Sequence, residues 1–186
     1  MTTHISSITL PAFVFEKPAV SLLLPVVLGN AVGLATRLDP NSKAYKSLKQ
    51  PPLNPPPYVF GPVWTALYLS MGYASYRAWN AGMSSLDMEK VKLAKDSATL
   101  YTIQLGMNLV WMPLFFALRR PIEATVDIVA LTGAATSLAC VYGRIDTVAG
   151  WMLAPYVAWL GFASYLSAGC GYLNNWNFTQ DITKDE

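Results

Sequence analysis

The sequence predicts an all-α membrane protein: a bundle of five transmembrane helices with a proline-rich first loop as its lid. Three observations lead there. Of 186 residues only 13% are charged while 53% are hydrophobic, against roughly 25% charged in a soluble domain. The charges are bunched, leaving uncharged runs of 19 residues between Lys17 and Arg37, 27 between Lys49 and Arg77, 22 between Asp96 and Arg119, and 34 between Asp146 and Asp181. A fifth run, from Glu123 to Arg144, holds 20 residues and one acid, Asp127. Each reaches the ~20 residues that cross a hydrocarbon layer about 30 Å thick. A soluble helix would carry charge every turn or two on its polar face, and a membrane barrel would need alternating segments of about 10 residues. Neither pattern is present.

Residues 1–18 form an N-terminal tail. They carry no basic region ahead of an apolar core and no arginine, so neither a cleaved secretory signal nor a matrix presequence is expected. The one histidine, His4, lies there and reads as an unstructured terminal residue. The first span covers residues 19–36. It contains Pro25, tolerated when neighbours satisfy the freed carbonyl, and a Gly29/Gly33 pair whose spacing suits close packing within the chain or a dimer seam equally. The first loop ends in Gln50-Pro51-Pro52-Leu53-Asn54-Pro55-Pro56-Pro57, where five of eight residues are proline. That octet cannot be helical and reads as a stiff, extended lid, with Pro51, Pro52, Asn54 and Pro55 as its covering residues. A loop of such length invites a functional reading.

The second span covers 58–79, with Pro62 in its first turn. Residues 80–96 carry Asp87, Glu89, Lys90, Lys92 and Lys95 and read as a solvated loop with an added helical turn. The third span, 97–118, stops at Arg119-Arg120-Pro121. The fourth, 123–143, is rich in alanine, glycine and serine, which permit tight helix contacts. The fifth is read as one helix over 147–173, followed by a tail at 174–186. An odd number of spans puts the termini on opposite sides. Six lysines and arginines fall on one side and seven on the other, so the positive-inside rule does not orient the chain.

The charge pattern has no basic stripe, which excludes a nucleic-acid partner. Cys140 and Cys170 both fall in apolar segments without a Cys or His neighbour in metal-ligand spacing and read as buried free thiols. No paired carboxylates, no Ser/His/Asp set and no phosphate-cradling loop appear, so no catalytic residue, required cofactor or metal ligand is expected. Non-enzymatic function is favoured. Asp127 is ionisable within a span, functional by default, or else paired with Arg119 or Arg120 near the boundary.

Polar groups inside the spans are more informative. Gln104, Asn108, Trp111 and Phe115 stack on one side of the third span. Because an unpaired amide in hydrocarbon costs several kcal/mol by estimate, Gln104 and Asn108 should face inward. On the fifth span Trp151, Pro155, Trp159, Phe162 and Leu166 form a stripe beside Ala163, and on the second Trp64 and Tyr68 lie one turn apart. Trp79, Trp151 and Trp176, near segment ends, read as interfacial belt. Trp64, Trp111 and Trp159 lie deeper and read as the lining of a cavity for a hydrophobic ligand.

Four motifs, in order, carry a resemblance. They are Gln50 to Pro56 with Val59-Phe60-Gly61-Pro62-Val63-Trp64-Thr65-Ala66-Leu67-Tyr68 and Met71-Gly72-Tyr73; Asn108 to Phe116; Val126-Asp127 with Gly133-Ala134-Ala135; and Pro155-Tyr156-Val157-Ala158-Trp159 with Phe162. Over about residues 45–166 the chain resembles the translocator protein family (TspO/MBR), also called the peripheral benzodiazepine receptor family and, in bacteria, the tryptophan-rich sensory protein. The resemblance implies five tightly packed spans, commonly dimeric, around a pocket under the first loop. It implies ligands such as haem and protoporphyrin, sterols, and isoquinoline or benzodiazepine drugs. By matching position, Trp64, Tyr68, Asn108, Trp111, Phe115, Trp159, Ala163 and Leu166 would line the pocket. Gln50 and Leu53 replace a usual lysine and tryptophan of the lid. Ala168 and Tyr172 stand where animal members have the Tyr and Arg of a C-terminal sterol motif, so that motif is not met.

The expected function is therefore a multi-pass membrane receptor or carrier for a porphyrin-like ligand. Its rivals are a photo-oxidative porphyrin-degrading enzyme, a reaction ascribed to bacterial relatives, and a scaffold whose aromatics only pack. In a eukaryote the missing presequence suits the mitochondrial outer membrane or the endoplasmic reticulum.

Overall fold

The computed structural model describes residues 3–36 and 48–178; the expectations for the start of the first loop, residues 37–47, and for the acidic end of the C-terminal tail, residues 179–186, fall outside the described residues. All regular structure among the described residues is helical: α1 (Phe13–Glu16), α2 (Pro18–Thr36), α3 (Pro57–Met83), α4 (Met88–Met112), a π-helical turn (Pro113–Ala117), α5 (Pro121–Ile145), α6 (Thr147–Met152) and α7 (Ala154–Leu173). Among the described residues three helices are long and apolar enough to cross a membrane: Pro18–Thr36, Met88–Ala117 including the π turn, and Pro121–Ile145. Helices α3 and α7 have the length, 27 and 20 residues, but their tyrosines, tryptophans and glycines lower their mean hydropathy.

Packing follows chain order. α2 lies on α3, α3 on α4, α4 on α5, and α5 on α7. Met71, Ala74 and Ala78 of α3, Tyr101 and Leu105 of α4, Ile128, Leu131 and Leu138 of α5, and Tyr156 and Leu160 of α7 form one core. Both glycines of the Gly29/Gly33 pair face their own chain. A Cβ at Gly29 would stand 2.7 Å from the Tyr68 hydroxyl, and one at Gly33 would stand 3.4 Å from Met112 Cε. The pair serves packing within the bundle.

Four expectations need correction. The charged stretch 80–96 is not a loop: α3 runs to Met83 and α4 starts at Met88, where Asp87 caps it by accepting the Glu89 N–H at 2.8 Å. Lysine, leucine and alanine are good helix formers, and the lysine stems let the charges reach water while Ala94 is buried against Gly82. The fifth span is not one helix, because Pro155 has no N–H for the Trp151 carbonyl; the chain turns at Leu153 and restarts as α7 with proline in its first turn. The N-terminal tail is not loose. Val14 and Phe15 of its apolar run are buried, Phe15 stacks on Trp79 at 5.3 Å, the Ser21 hydroxyl donates to the Val14 carbonyl, and His4 Nδ1 lies 3.1 Å from the Lys95 carbonyl oxygen. Of the two thiols only Cys170 is buried; Cys140, on α5, is exposed.

The end of the bundle opposite the proline loop is tied by charge. Arg144 pairs with Glu89 at 2.6 Å, and Arg77 pairs with Asp146 at 2.8 Å. Asp146 also caps α6 through the Val148 and Ala149 N–H groups. Partial burial pushes the Asp146 carboxyl up, but the bonds from Arg77 and from those two amides outweigh it and leave the acid below its ordinary value. A depressed folded-state value contributes stability above the unfolded-state value of about 4, lost as pH falls through the folded one. Asp146→Asn, which can still cap, should melt below the wild type in detergent at pH 7, with the gap closing below about pH 4. A pH-independent gap would rule out this linkage.

Candidate functional site

The inner faces of α3, α4 and α7 carry polar atoms that must find partners among themselves. Gln104 and Asn108 sit one turn apart on α4, both buried, as the cost of an unpaired amide requires. They are joined to two tyrosines in a chain of one direction. Tyr68 Oη donates to Asn108 Oδ1 at 2.7 Å, and Asn108 Nδ2 donates to Tyr156 Oη at 3.2 Å. Tyr156 Oη donates to Gln104 Oε1 at 2.9 Å, and Gln104 Nε2 ends the relay on Met71 Sδ at 3.0 Å. Three helices are thereby coupled through one buried network.

Aromatic rings border this relay. Trp64 packs on Tyr68 in a tilted contact (centroids 5.5 Å, 33°) and meets Tyr156 edge-on at 6.4 Å, within the roughly 4.5–7 Å centroid range of favourable ring pairs. Trp111 stacks on Phe115 at 5.2 Å and 23°. Between them lies a cavity of about 10 Å³ lined by Trp64, Tyr68, Asn108, Trp111, Ile128 and Leu131. That is room for one water at most. The indole Nε1 atoms of Trp111 and Trp159 and the Asp127 Oδ2 are buried without a hydrogen-bond partner among the described residues. Asp127 is paired with neither arginine: Arg120 contacts Glu123 at 3.3 Å instead.

Of the residues the sequence nominated, Trp64, Tyr68, Asn108 and Trp111 converge on the cavity, and Phe115 joins through its stack on Trp111. Phe115 also belongs to a second apolar cluster with Ala124, Cys170 and Phe178. The structure does not bring Trp159, Ala163 and Leu166 to the cavity wall. Trp159 packs edge-on to Phe60 at 6.0 Å and against Phe162 at 5.6 Å, Ala163 is in the main core, and Leu166 is buried further along α7. Ile128, Leu131 and Met112 of the cavity lining and Tyr156 and Met71 of the relay were not among the nominated lining residues. Tyr156 lies beside Pro155 in a motif already singled out, and its position three residues before Trp159 and seven before Ala163 was the available signal.

The proline segment lies along the C-terminal half of α7. Pro51 is buried, and a Cβ at Gly169 would stand 2.8 Å from Pro51 Cβ. The Tyr165 hydroxyl donates to the Pro52 carbonyl at 3.0 Å. Asn174 holds Lys49 from both sides, accepting its N–H at 3.0 Å and donating to its carbonyl at 2.9 Å. Asn54 and Pro55 are half-buried, and exposed Leu53 takes φ of 65° between them and Pro52.

Residues 21–173 match the TspO/MBR family. The chain is 40% identical over 152 residues to the Translocator protein homolog of Schizosaccharomyces pombe, covering 82% of this chain and 88% of that protein. It is 35% identical over 150 residues to the Translocator protein of Homo sapiens, covering 81% and 86%. Tryptophan-rich protein TspO of Archaeoglobus fulgidus is 39% identical over 130 residues, 70% of this chain and 79% of that one.

Proposed function

The chain belongs to the TspO/MBR family of membrane proteins, and from that premise we propose that it is a multi-pass receptor or carrier for a flat, apolar, porphyrin-like ligand held between its helices. The supporting observation is the placing of the tilted Trp64–Tyr68 pair and Trp111 around the Asn108 carboxamide. Indole and phenol faces stack on a planar macrocycle. Asn108 spends one acceptor position on Tyr68 and one N–H on Tyr156, which leaves it one of each for a carbonyl or carboxyl. In this reading all five long helices cross the bilayer, α3 and α7 bringing the aromatic and polar lining at some loss of apolarity.

A tetrapyrrole is far larger than the closed cavity, so binding swings the half-buried rings of Trp64 and Trp111 apart. The proline lid, fastened by Tyr165 and Asn174, lifts with it. Protoporphyrin should quench the tryptophan fluorescence of the reconstituted protein saturably. Replacing Trp64 and Trp111 together by leucine should weaken binding by about 5- to 150-fold, from two stacking contacts of about 0.5–1.5 kcal/mol each. Saturable binding of unchanged affinity in the double variant would remove the assignment.

A further inference from the structure

The segment before α2 is strapped along α4 at the end of the bundle away from the lid. The Ile5 N–H donates to Thr99 Oγ1 at 3.1 Å and the Leu10 N–H to Thr102 Oγ1 at 3.0 Å. The hydroxyls of Thr9 and Thr99 are 2.6 Å apart, and His4 Nδ1 is fixed on the Lys95 carbonyl at 3.1 Å. With a further contact of His4 Nδ1 to Thr99 Oγ1 at 3.3 Å, five long-range hydrogen bonds thus hold residues 4–10 as one wall of a groove of about 270 Å³. It is far larger than the aromatic cavity and close to the lower end of ligand-site volumes, about 300 Å³.

The groove has two chemistries. Leu10 and the indole of Trp79, itself held by its stack on Phe15, give an apolar side. His4, Ser6, Thr9 and Lys95 give a polar side, with no acid in the lining. The exposed Lys95 ammonium makes no ion pair among the described residues, so its three N–H donors are available. A tryptophan near a helix end marks the depth of lipid headgroups in a membrane protein. Strapping the tail against α4 therefore sets one cation and a serine hydroxyl beside an indole at the water edge of the bundle.

We propose that this groove binds a phosphate-bearing amphiphile, with the anionic group on Lys95 and Ser6 and the apolar part along Leu10 and Trp79. The site shares no lining residue with the Trp64–Trp111 cavity, so it stands or falls independently of the porphyrin reading. The test is native mass spectrometry of the full chain in detergent, titrated with phosphatidic acid, phosphatidylcholine and inorganic phosphate. Phosphatidic acid should bind more tightly than phosphatidylcholine. Lys95→Gln should weaken phosphatidic acid about tenfold, the loss of one charge-assisted contact, whereas Lys92→Gln, an exposed lysine outside the groove, should leave it unchanged. Ser6→Asp, at an exposed position, should abolish binding by placing a like charge beside the phosphate. Inorganic phosphate that competes in a Lys95-dependent way identifies a soluble phosphate compound as the occupant; lack of competition identifies the lipid headgroup. Equal binding of both lipids, or phosphatidic acid affinity unaffected by Lys95→Gln and Ser6→Asp, overturns the site.

Discussion

Gly72→Val is expected to unseat α2 from α3 and leave no protein of native mobility on gel filtration in mild detergent. A Cβ at Gly72 would stand 2.9 Å from the Leu22 Cα and closer still to the Ser21 carbonyl oxygen. Those are backbone atoms of a packed helix, which cannot rotate aside as a side chain can. Small residues let helix backbones approach this closely in membranes, where van der Waals packing replaces the hydrophobic drive. Overpacking against yielding side chains costs about 1–3 kcal/mol, and a backbone clash should exceed that range. Even Gly72→Ala should cost at least the upper end of the same range, about 3 kcal/mol. Gly61 on the same helix has nothing within 4 Å of its would-be Cβ, so Gly61→Ala should be neutral or should stabilise by up to about 1 kcal/mol. If Gly72→Ala and Gly61→Ala unfold at the same denaturant concentration, the close crossing of α2 and α3 is wrong.

Such a contact is hard to read from a sequence, because a glycine announces space without saying what fills it. The all-helical membrane class was legible, since uncharged runs leave few alternatives to a membrane, and three of the five runs lie in helices long and apolar enough to cross one. So was the inward side of α4: Gln104 and Asn108 had nowhere else to go without losing hydrogen bonds, and both are buried. Lysines misled the reading of residues 80–96. Charge suggests a loop, whereas long stems let Lys90, Lys92 and Lys95 ride a helix with Ala94 and Ala98 inside. Over α6 and α7 the tryptophan pattern points to Trp151, Pro155 and Trp159, but the buried stripe is Leu153, Tyr156, Leu160 and Ala163. In lipid the outward face is as apolar as the inward one, so periodicity loses its power to choose. The tyrosine hydroxyl, which needs a partner, was the better guide to the interior.

The relay offers the second large effect. Asn108→Leu conserves bulk but strips Tyr68 Oη of its acceptor and Tyr156 Oη of its donor. A hydrogen bond between membrane helices contributes on average only about 0.6 kcal/mol. An orphaned buried phenol costs more, about 1–3 kcal/mol, so the penalty should come mainly from Tyr68, while Tyr156 keeps its bond to Gln104. Asn108→Leu should therefore destabilise by about 2 kcal/mol in a reversible detergent unfolding assay. Tyr68→Phe removes the orphan in advance. Adding it to Asn108→Leu should recover part of the loss, making the double variant less unstable than the sum of the singles by at least about 0.5 kcal/mol. Tyr76→Phe, on the same helix but outside the relay, should give strict additivity with Asn108→Leu. If Tyr68→Phe is equally additive, the four side chains are neighbours without being a network, and the energetic linkage of α3, α4 and α7 through Asn108 fails.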